Sequence, residues 1–295
     1  MNEKLLIIDG FNLLSRGYFA TAFNQEPHQL PKNSQGLYIN GVRVFIQKLY
    51  QLIDKHQMSH VAICWDVKRE DTSRRKEYTA YKATRQALPE PLIQQYESLV
   101  FLLTDLGFTQ LTIPPYEADD VIGALTVKWQ QETSGHSYMY SNDHDLLQLL
   151  SPQTTQIIAK NREELMFTEH VFTSKYEITP TQWIDVKALL GDKGDNIPGV
   201  HGVGEKAALP LIQLYGSVEG VYQSLDTLDA KFNRYKKKLI AGETDAYLSK
   251  QLVTIETDLK EVQTLDLVAF ENKTRKDLQF KALNDFDLKI RGLML

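Results

Sequence analysis

The chain has 295 residues, a formal net charge of −5 and a single cysteine, Cys64. This length allows one large domain or two joined ones, and a lone cysteine excludes an internal disulfide. No apolar run approaches the roughly 20 residues of a membrane span, and M-N-E-K-L-L-I-I-D is not typical of a signal peptide. The composition therefore predicts a reduced, cytoplasmic protein that has no membrane partner.

Strand-like and helix-like segments alternate along the first two-thirds of the chain. Short apolar runs of strand length lie at 5–8, 60–65, 110–113 and 137–140. Helical patterns lie at 37–55, 91–106 and 117–132. Because helices separate the strands, residues 1–180 are predicted to form an α/β domain with a mostly parallel central sheet flanked by helices.

Beyond residue 180 the strand pattern fades. Helical patterns at 181–190, 204–215, 217–225 and 243–254 predict a helical region over 181–295.

Two segments are strongly basic. Residues 68–85 lie in a polar insertion at 67–90 and carry seven Lys or Arg against three acids, and 231–238 carry five basic residues and no acid. Either segment alone is more typical of a solvated surface. Together, beside clustered acids, they favour an anionic partner such as nucleic acid, although the net charge argues weakly against one.

Carboxylates follow every predicted strand. Ligands of open α/β sheets bind beyond the carboxyl ends of the strands, so these acids are expected to meet in one crevice. The acids at the strand ends are Asp9, Asp66, Glu117, Asp119, Asp120, Asp143 and Asp145, and the helical region adds Asp192 and Asp195. Each alone could be a turn former or a helix cap.

As a set, the converging acids would repel one another and raise their own pKa values. Divalent cations offset that repulsion, and two Mg²⁺ ions roughly 4 Å apart would use this many oxygen ligands for phosphoryl chemistry. The sequence has no Cys/His set for zinc, and His144 is more typical of a loop residue than of a ligand.

A glycine-rich motif, G-D-K-G-D-N-I-P-G-V-H-G-V-G-E-K-A-A, spans residues 191–208. Gly199, Gly202 and Gly204 predict a tight turn that leads into a helix starting near Glu205, in a helix–hairpin–helix over about 186–215. Backbone N–H groups in such a motif bind phosphate without reading bases. The alternative is a simple packing joint between two helices.

Several motifs in order resemble the 5′→3′ exonuclease and flap endonuclease family, and most closely the 5′ nuclease domain of bacterial DNA polymerase I as a stand-alone protein. They are I-I-D-G-F-N, Y-K-A-T-R, Y-E-A-D-D, S-N-D-H-D and G-D-K-G-D-N-I-P-G-V-H-G-V-G-E-K-A. The resemblance runs from residue 5 to about 225. It implies two-metal-ion hydrolysis of DNA that leaves a 5′-phosphate and a 3′-hydroxyl, in replication and repair.

The resemblance also implies residue roles. Asp9, Asp66, Glu117 and Asp119 would serve a first metal ion, Asp143, Asp145, Asp192 and Asp195 a second, and Asp120 the shared site. Residues 67–90 would form an arch, in which Lys82 and Arg85 contact the scissile phosphate and Tyr81 stacks on a base. The other expected DNA contacts are Arg74, Arg75, Lys76, Gly199, Gly202, Gly204, Lys206, Lys236 and Lys237.

The implied cofactors are two Mg²⁺ ions, with Mn²⁺ as a substitute, and K⁺ held by backbone carbonyls of the hairpin near Val200 and Val203. The implied partners are branched or 5′-ended DNA, including flaps, nicks and RNA–DNA primers, and the chain is expected to be a monomer. Two departures from the family pattern, Asn142 and His144, remove no carboxylate. A PIN-type ribonuclease and a non-catalytic binder of branched DNA remain alternatives.

Overall fold

The computed structural model describes residues 3–160, 163–273 and 276–290. Its centre is a sheet with the strand order β3-β2-β1-β4-β5-β6, parallel throughout except for the antiparallel pair β5–β6. The strands are β1 Lys4–Asp9, β2 His60–Cys64, β3 Thr109–Leu111, β4 His136–Tyr140, β5 Thr154–Lys160 and β6 Glu163–Phe167. The predicted α/β class with a mostly parallel sheet is therefore confirmed.

Helices cover the sheet and form most of the chain beyond residue 168. The α-helices are α1 Gly10–Ala22, α2 Asn40–His56, α3 Ser73–Glu77, α4 Glu90–Asp105, α5 Ala118–Glu132, α6 Glu169–Tyr176, α7 Trp183–Leu190, α8 Glu205–Tyr215, α9 Val218–Gln223, α10 Asn233–Ala241, α11 Glu243–Val253, α12 Lys260–Gln263 and α13 Lys276–Asp285. No helix in the described ranges combines the length and the apolar character needed to cross a membrane.

Alternate residues of β1 point to opposite sides of the sheet, as the period of two requires. Leu6 and Ile8 join one buried cluster with residues of α1, α2 and α4. Leu5 and Ile7 join the other with residues of α5 and of the later helices. The helical region thus shares a continuous core with one face of the sheet. Leu288, beyond α13, belongs to the α4 cluster, so the chain returns to the first domain.

The sequence did not predict β5, β6 or α1. β5 contains Thr154 and Gln156, both fully buried, which weaken its apolar pattern. α1 contains Gly10 and Gly17, which lower helix propensity. A Cβ on Gly10 would lie 2.5 Å from the Trp65 ring, so the close approach of α1 to the end of β2 requires glycine there.

Candidate metal centre and nucleic-acid interface

Asp9 occupies the carboxyl end of the central strand β1 and also caps α1. Its Oδ1 accepts from the Asn12 N–H at 3.1 Å, and its Oδ2 accepts from the Ser141 hydroxyl at 2.8 Å. Ser141 directly follows β4, which neighbours β1 in the sheet. The hydrogen bonds therefore fix the Asp9 carboxylate between the ends of two adjacent strands.

The start of α5 brings a second group of acids to the same edge. Asp66, just beyond β2, accepts from the Ala118 N–H at 2.9 Å and so joins the end of β2 to α5. Glu117 is the N-cap of α5 and forms a reciprocal capping box with Asp120. Asp119 lies between them in the first turn.

The pKa values show that these acids interact. Burial raises the pKa of Asp9 to about 7, with further contributions from the charges of Asp66 and Asp143. Burial, followed by the charges of Asp143 and Asp9, raises the pKa of Asp119 well above its usual range. We call Asp9, Asp66, Asp119 and Asp143 the strand-end cluster. Its members lie within electrostatic reach of one another, as the topology predicts.

A second cluster adjoins the first. Burial and the charge of Asp143 raise the pKa of Asp145 to about 6. The Lys187 ammonium, on α7, lies 2.9 Å from Asp145 Oδ1 and 3.1 Å from Asp192 Oδ2. Lys187 lowers the pKa of Asp192, against the effect of burial. No sequence pattern pointed to Lys187, because a lone lysine in an amphipathic helix is usually exposed.

The end of the predicted arch docks onto the acids. Lys82 Nζ lies 2.6 Å from Glu117 Oε1, and the Lys82 N–H donates to the Asp195 carbonyl at 2.9 Å. The Arg85 guanidinium pairs with Asp195 Oδ1 at 2.5 Å. The structure therefore brings both predicted catalytic cations to the acids.

The donor set fits hard divalent ions, because it consists of carboxylate oxygens whose mutual repulsion a cation would relieve. As placed in the described ranges, no three His, Cys, Asp or Glu side chains form a ready ligand group for one ion. Glu117, Asp145 and Asp192 instead face lysine ammonium groups. A bound metal ion would therefore compete with these lysines for the carboxylate oxygens.

Asp120 and Arg74 differ from the predicted roles. Asp120 is 1% exposed, and its two oxygens accept from the Arg74 guanidinium at 2.7 Å each. Arg74 also donates to the Leu252 and Thr254 carbonyls. This pair is an internal brace between α3, α5, the last turn of α11 and the residue after it. As placed here, Asp120 faces Arg74, and the Arg74 guanidinium faces internal acceptors; the metal-site role of Asp120 and the DNA contact of Arg74 stay predictions.

Tyr81 also differs from the prediction that it stacks on a base. The side chain is 3% exposed and packs in a small cluster with Ile197, Leu252 and Val253. Its hydroxyl donates to Glu117 Oε2 at 2.8 Å. Burial rather than stacking explains an aromatic residue at this position. The other two predicted DNA contacts on α3 differ in environment. Arg75 donates to the Tyr81 carbonyl, whereas Lys76 is exposed.

Arg16 is a further residue that sequence reasoning missed. From α1 its guanidinium donates to the Asn142 side chain at 2.5 Å and to the Ala159 carbonyl at 3.3 Å. Asn142 itself occupies one of the two positions that depart from the family pattern. The signal available was an Arg one helical turn beyond Asn12, on a helix that Asp9 caps.

Two of the three glycines of the predicted tight turn have a left-handed backbone. Gly199 and Gly202 have φ values of 58° and 78°, a region that glycine adopts without penalty. Gly204 has an extended backbone with φ −104° and caps α8. The other expected DNA contacts here are on the surface: Lys206 and Lys237 are exposed, and Lys236 pairs with Asp226.

The raised pKa of Asp9 predicts a pH-dependent stability difference between the wild-type protein and Asp9→Asn without divalent ions. The folded state keeps the Asp9 proton up to about pH 7, whereas the unfolded chain releases it near 3.8. Wild-type stability from this group is therefore lost as pH rises from about 4 to about 7. Asp9→Asn should gain in free energy of unfolding, relative to wild type, over that range.

Denaturant unfolding of both proteins at several pH values, with chelator, measures this difference. Histidines titrate in both proteins, so their contribution cancels in the comparison. Added Mg²⁺ should stabilise the wild type more at high pH, because ions bind the deprotonated carboxylates. A stability difference that is constant between pH 5 and 7.5 would contradict the raised pKa.

Two known protein families match successive parts of the chain. Residues 4–177 match the family described as 5′-3′ exonuclease, N-terminal resolvase-like domain. Residues 178–276 match the family described as 5′-3′ exonuclease, C-terminal SAM fold. The two matches, together with the fold, define the class of the protein, a nuclease. More particularly, the chain belongs to the 5′-3′ exonuclease family, which confirms the family resemblance seen in the sequence.

The chain is similar both to a protein of about its own length and to part of a much longer polymerase. A 5′-3′ exonuclease of Halalkalibacterium halodurans is 53% identical over 287 residues, which cover 97% of this chain and 95% of that protein. DNA polymerase I of Streptococcus pneumoniae is 36% identical over 257 residues, 86% of this chain but 28% of the polymerase. The bacteriophage T5 D15 flap endonuclease, solved with DNA and metal ions, shares the fold, with a TM-score of 0.68 at 22% identity over 97% of this chain and all of that one (100%).

Proposed function

We propose that the protein is a Mg²⁺-dependent 5′ nuclease that acts on branched DNA and on DNA 5′ ends. The observation that carries the proposal is the strand-end cluster of repelling acids. Lys82 and Arg85, which pair with Glu117 and Asp195, lie close enough for their charges to act on Asp66 of this cluster. Carboxylates that perturb one another at the carboxyl edge of a parallel sheet are typical of a metal-dependent catalytic site.

Asp9, Asp66, Glu117 and Asp119 are the proposed ligands of a first ion, and Asp143, Asp145, Asp192 and Asp195 those of a second. Bound divalent ions would activate water and stabilise the leaving oxygen in hydrolysis of the phosphodiester. Mg²⁺ suits an all-oxygen donor set that pairs with phosphate, and Mn²⁺ is the proposed substitute. The product ends would be a 5′-phosphate and a 3′-hydroxyl.

The chain's own residues would bind and orient the DNA. Lys82 and Arg85 can release their carboxylates and stabilise charge on the scissile phosphate. The hairpin and the basic helix α10 would hold the duplex backbone by electrostatic contacts, so binding should weaken steeply with salt. The T5 enzyme, named a flap endonuclease and solved with DNA, supports transfer of this substrate class to a chain of the same fold.

The remaining proposals concern organisation and setting. We assign residues 1–180 to the nuclease domain, with 67–90 as its arch, and 181–295 to the helical DNA-binding region. The protein would act as a cytoplasmic monomer on flaps, nicks or RNA–DNA primers, and the buried, unpaired thiol of Cys64 suits a reducing compartment.

Cleavage of a 5′-labelled single-flap DNA is the direct test. With Mg²⁺ we expect cutting near the flap junction, no cutting with chelator, and poor cutting of a matched single strand. Tight flap binding without cutting in Mg²⁺ or Mn²⁺ would favour a non-catalytic DNA binder. Efficient cutting of single-stranded RNA in place of the flap would favour a ribonuclease.

A further inference from the structure

The glycine hairpin has a side-chain cation of its own. Lys238, on α10, donates from its ammonium to the Gly202 carbonyl at 3.1 Å. A Cβ on Gly202 would lie 2.8 Å from Lys238 Nζ and 3.1 Å from its Cδ and Cε, so the lysine stem covers this glycine. The contact therefore involves packing of the whole side chain as well as one hydrogen bond.

Neighbouring contacts hold α10 and α11 against the hairpin and so fix the position of Lys238. The Gly199 N–H donates to the Ser249 hydroxyl at 2.9 Å inside the protein. A Cβ on Gly242, between the two helices, would lie 2.9 Å from Val200 Cγ1. Leu239, next to Lys238, is fully buried. The lysine thus extends from a fixed point of the backbone.

The charge of Lys238 is available to a ligand. Its side chain is exposed, and no carboxylate in the described parts of the chain pairs with it. An ammonium group has three N–H donors, of which the Gly202 carbonyl uses one. The remaining donors can bind an anion that approaches the hairpin and the N-terminus of α8.

We propose that the Lys238 ammonium replaces a bound monovalent cation at the hairpin and bridges the Gly202 carbonyl to a DNA phosphate. The inference rests on the proposed DNA-binding function. At the hairpin the Val200 carbonyl accepts from the Val203 N–H at 2.9 Å, and the Gly202 carbonyl between these two residues accepts from Lys238, so a positive charge already lies against the hairpin carbonyls. Binding of DNA should therefore be independent of K⁺.

Binding of a fluorescent single-flap DNA to the full chain tests this, with chelator to prevent cleavage. KCl, NaCl and tetramethylammonium chloride are compared at equal ionic strength. Wild-type Kd values should agree within about twofold among the three salts. Lys238→Met should bind about tenfold more weakly in tetramethylammonium, the effect of one lost charged hydrogen bond, and should recover in KCl.

Lys237→Met is the matched control, because it removes an exposed charge from the same helix. It should weaken binding equally in all three salts. The inference is overturned if wild-type affinity falls when tetramethylammonium replaces K⁺, a result that needs no variant. It is also overturned if Lys238→Met matches Lys237→Met in every salt while thermal unfolding shows both folded. A wild type that binds no flap DNA in any salt would remove the proposed function itself.

Discussion

Asp143→Asn should abolish DNA cleavage and leave DNA binding intact. Asp143 belongs to the strand-end cluster, where its charge raises the pKa values of Asp9 and Asp119. Removing one metal-binding charge should lower kcat by about 10³-fold, the upper range for loss of a single electrostatic contribution. Binding should be unchanged or tighter, because a negative charge facing the phosphates is lost.

The substitution should not disturb the fold. Asp143 Oδ1 accepts from the Asp145 N–H at 2.8 Å, and an asparagine oxygen can accept the same hydrogen bond. Asp105→Asn, at the exposed end of α4, is the control for removal of a carboxylate remote from the site and should cleave normally. Single-turnover cleavage and flap-binding titrations provide the two measurements. Equal losses of cleavage and of binding would contradict a role in metal chemistry.

The sequence predicts that the acids lie together because the order of the parallel strands brings their carboxyl ends to one edge of the sheet. Acids that follow β1, β2 and β4 must meet, since parallel neighbours in a sheet end at the same edge. The spacing of short apolar runs was enough to identify these strands. β5 was missed because its buried residues include Thr154 and Gln156, which are polar. Their hydrogen bonds form only in the folded protein, where Thr154 Oγ1 accepts from Gln130 and the Gln156 amide N–H donates to the Ser141 carbonyl.

The residues that the structure places differently from the prediction are those whose partners are remote in the chain. Arg74 was expected on the DNA, yet it donates to the carbonyl of Leu252, a contact that no local pattern could reveal. Tyr81 was expected to stack on a base, yet here it is buried in a small apolar cluster and its hydroxyl donates to Glu117. Composition identifies a basic segment, but it cannot tell which of its charges face an internal carboxylate.

Arg74→Met should destabilise the protein strongly without removing a DNA contact. The Arg74 guanidinium forms two hydrogen bonds of 2.7 Å with Asp120, which is 1% exposed. Removing the arginine leaves a buried, unpaired charge, and such a loss costs about 3–5 kcal/mol in free energy of unfolding. The double variant Arg74→Met/Asp120→Asn should recover part of this loss, because it removes the orphaned charge.

Lys76→Ala is the control on the same short helix, and as an exposed residue it should change the free energy of unfolding by about 0.5 kcal/mol or less. Denaturant unfolding of these variants measures the stabilities, and flap-binding titrations in several salt concentrations separate the two roles of the arginine. Loss of a phosphate contact would lower the slope of log Kd against the logarithm of the salt concentration by about one. Loss of the internal brace would leave this slope unchanged. If Arg74→Met has wild-type stability and its DNA binding depends less on salt, Arg74 contacts DNA rather than bracing the fold. The opposite result would establish that the base of the arch is held by a buried ion pair, on which the placement of Glu117 beside Lys82 then depends.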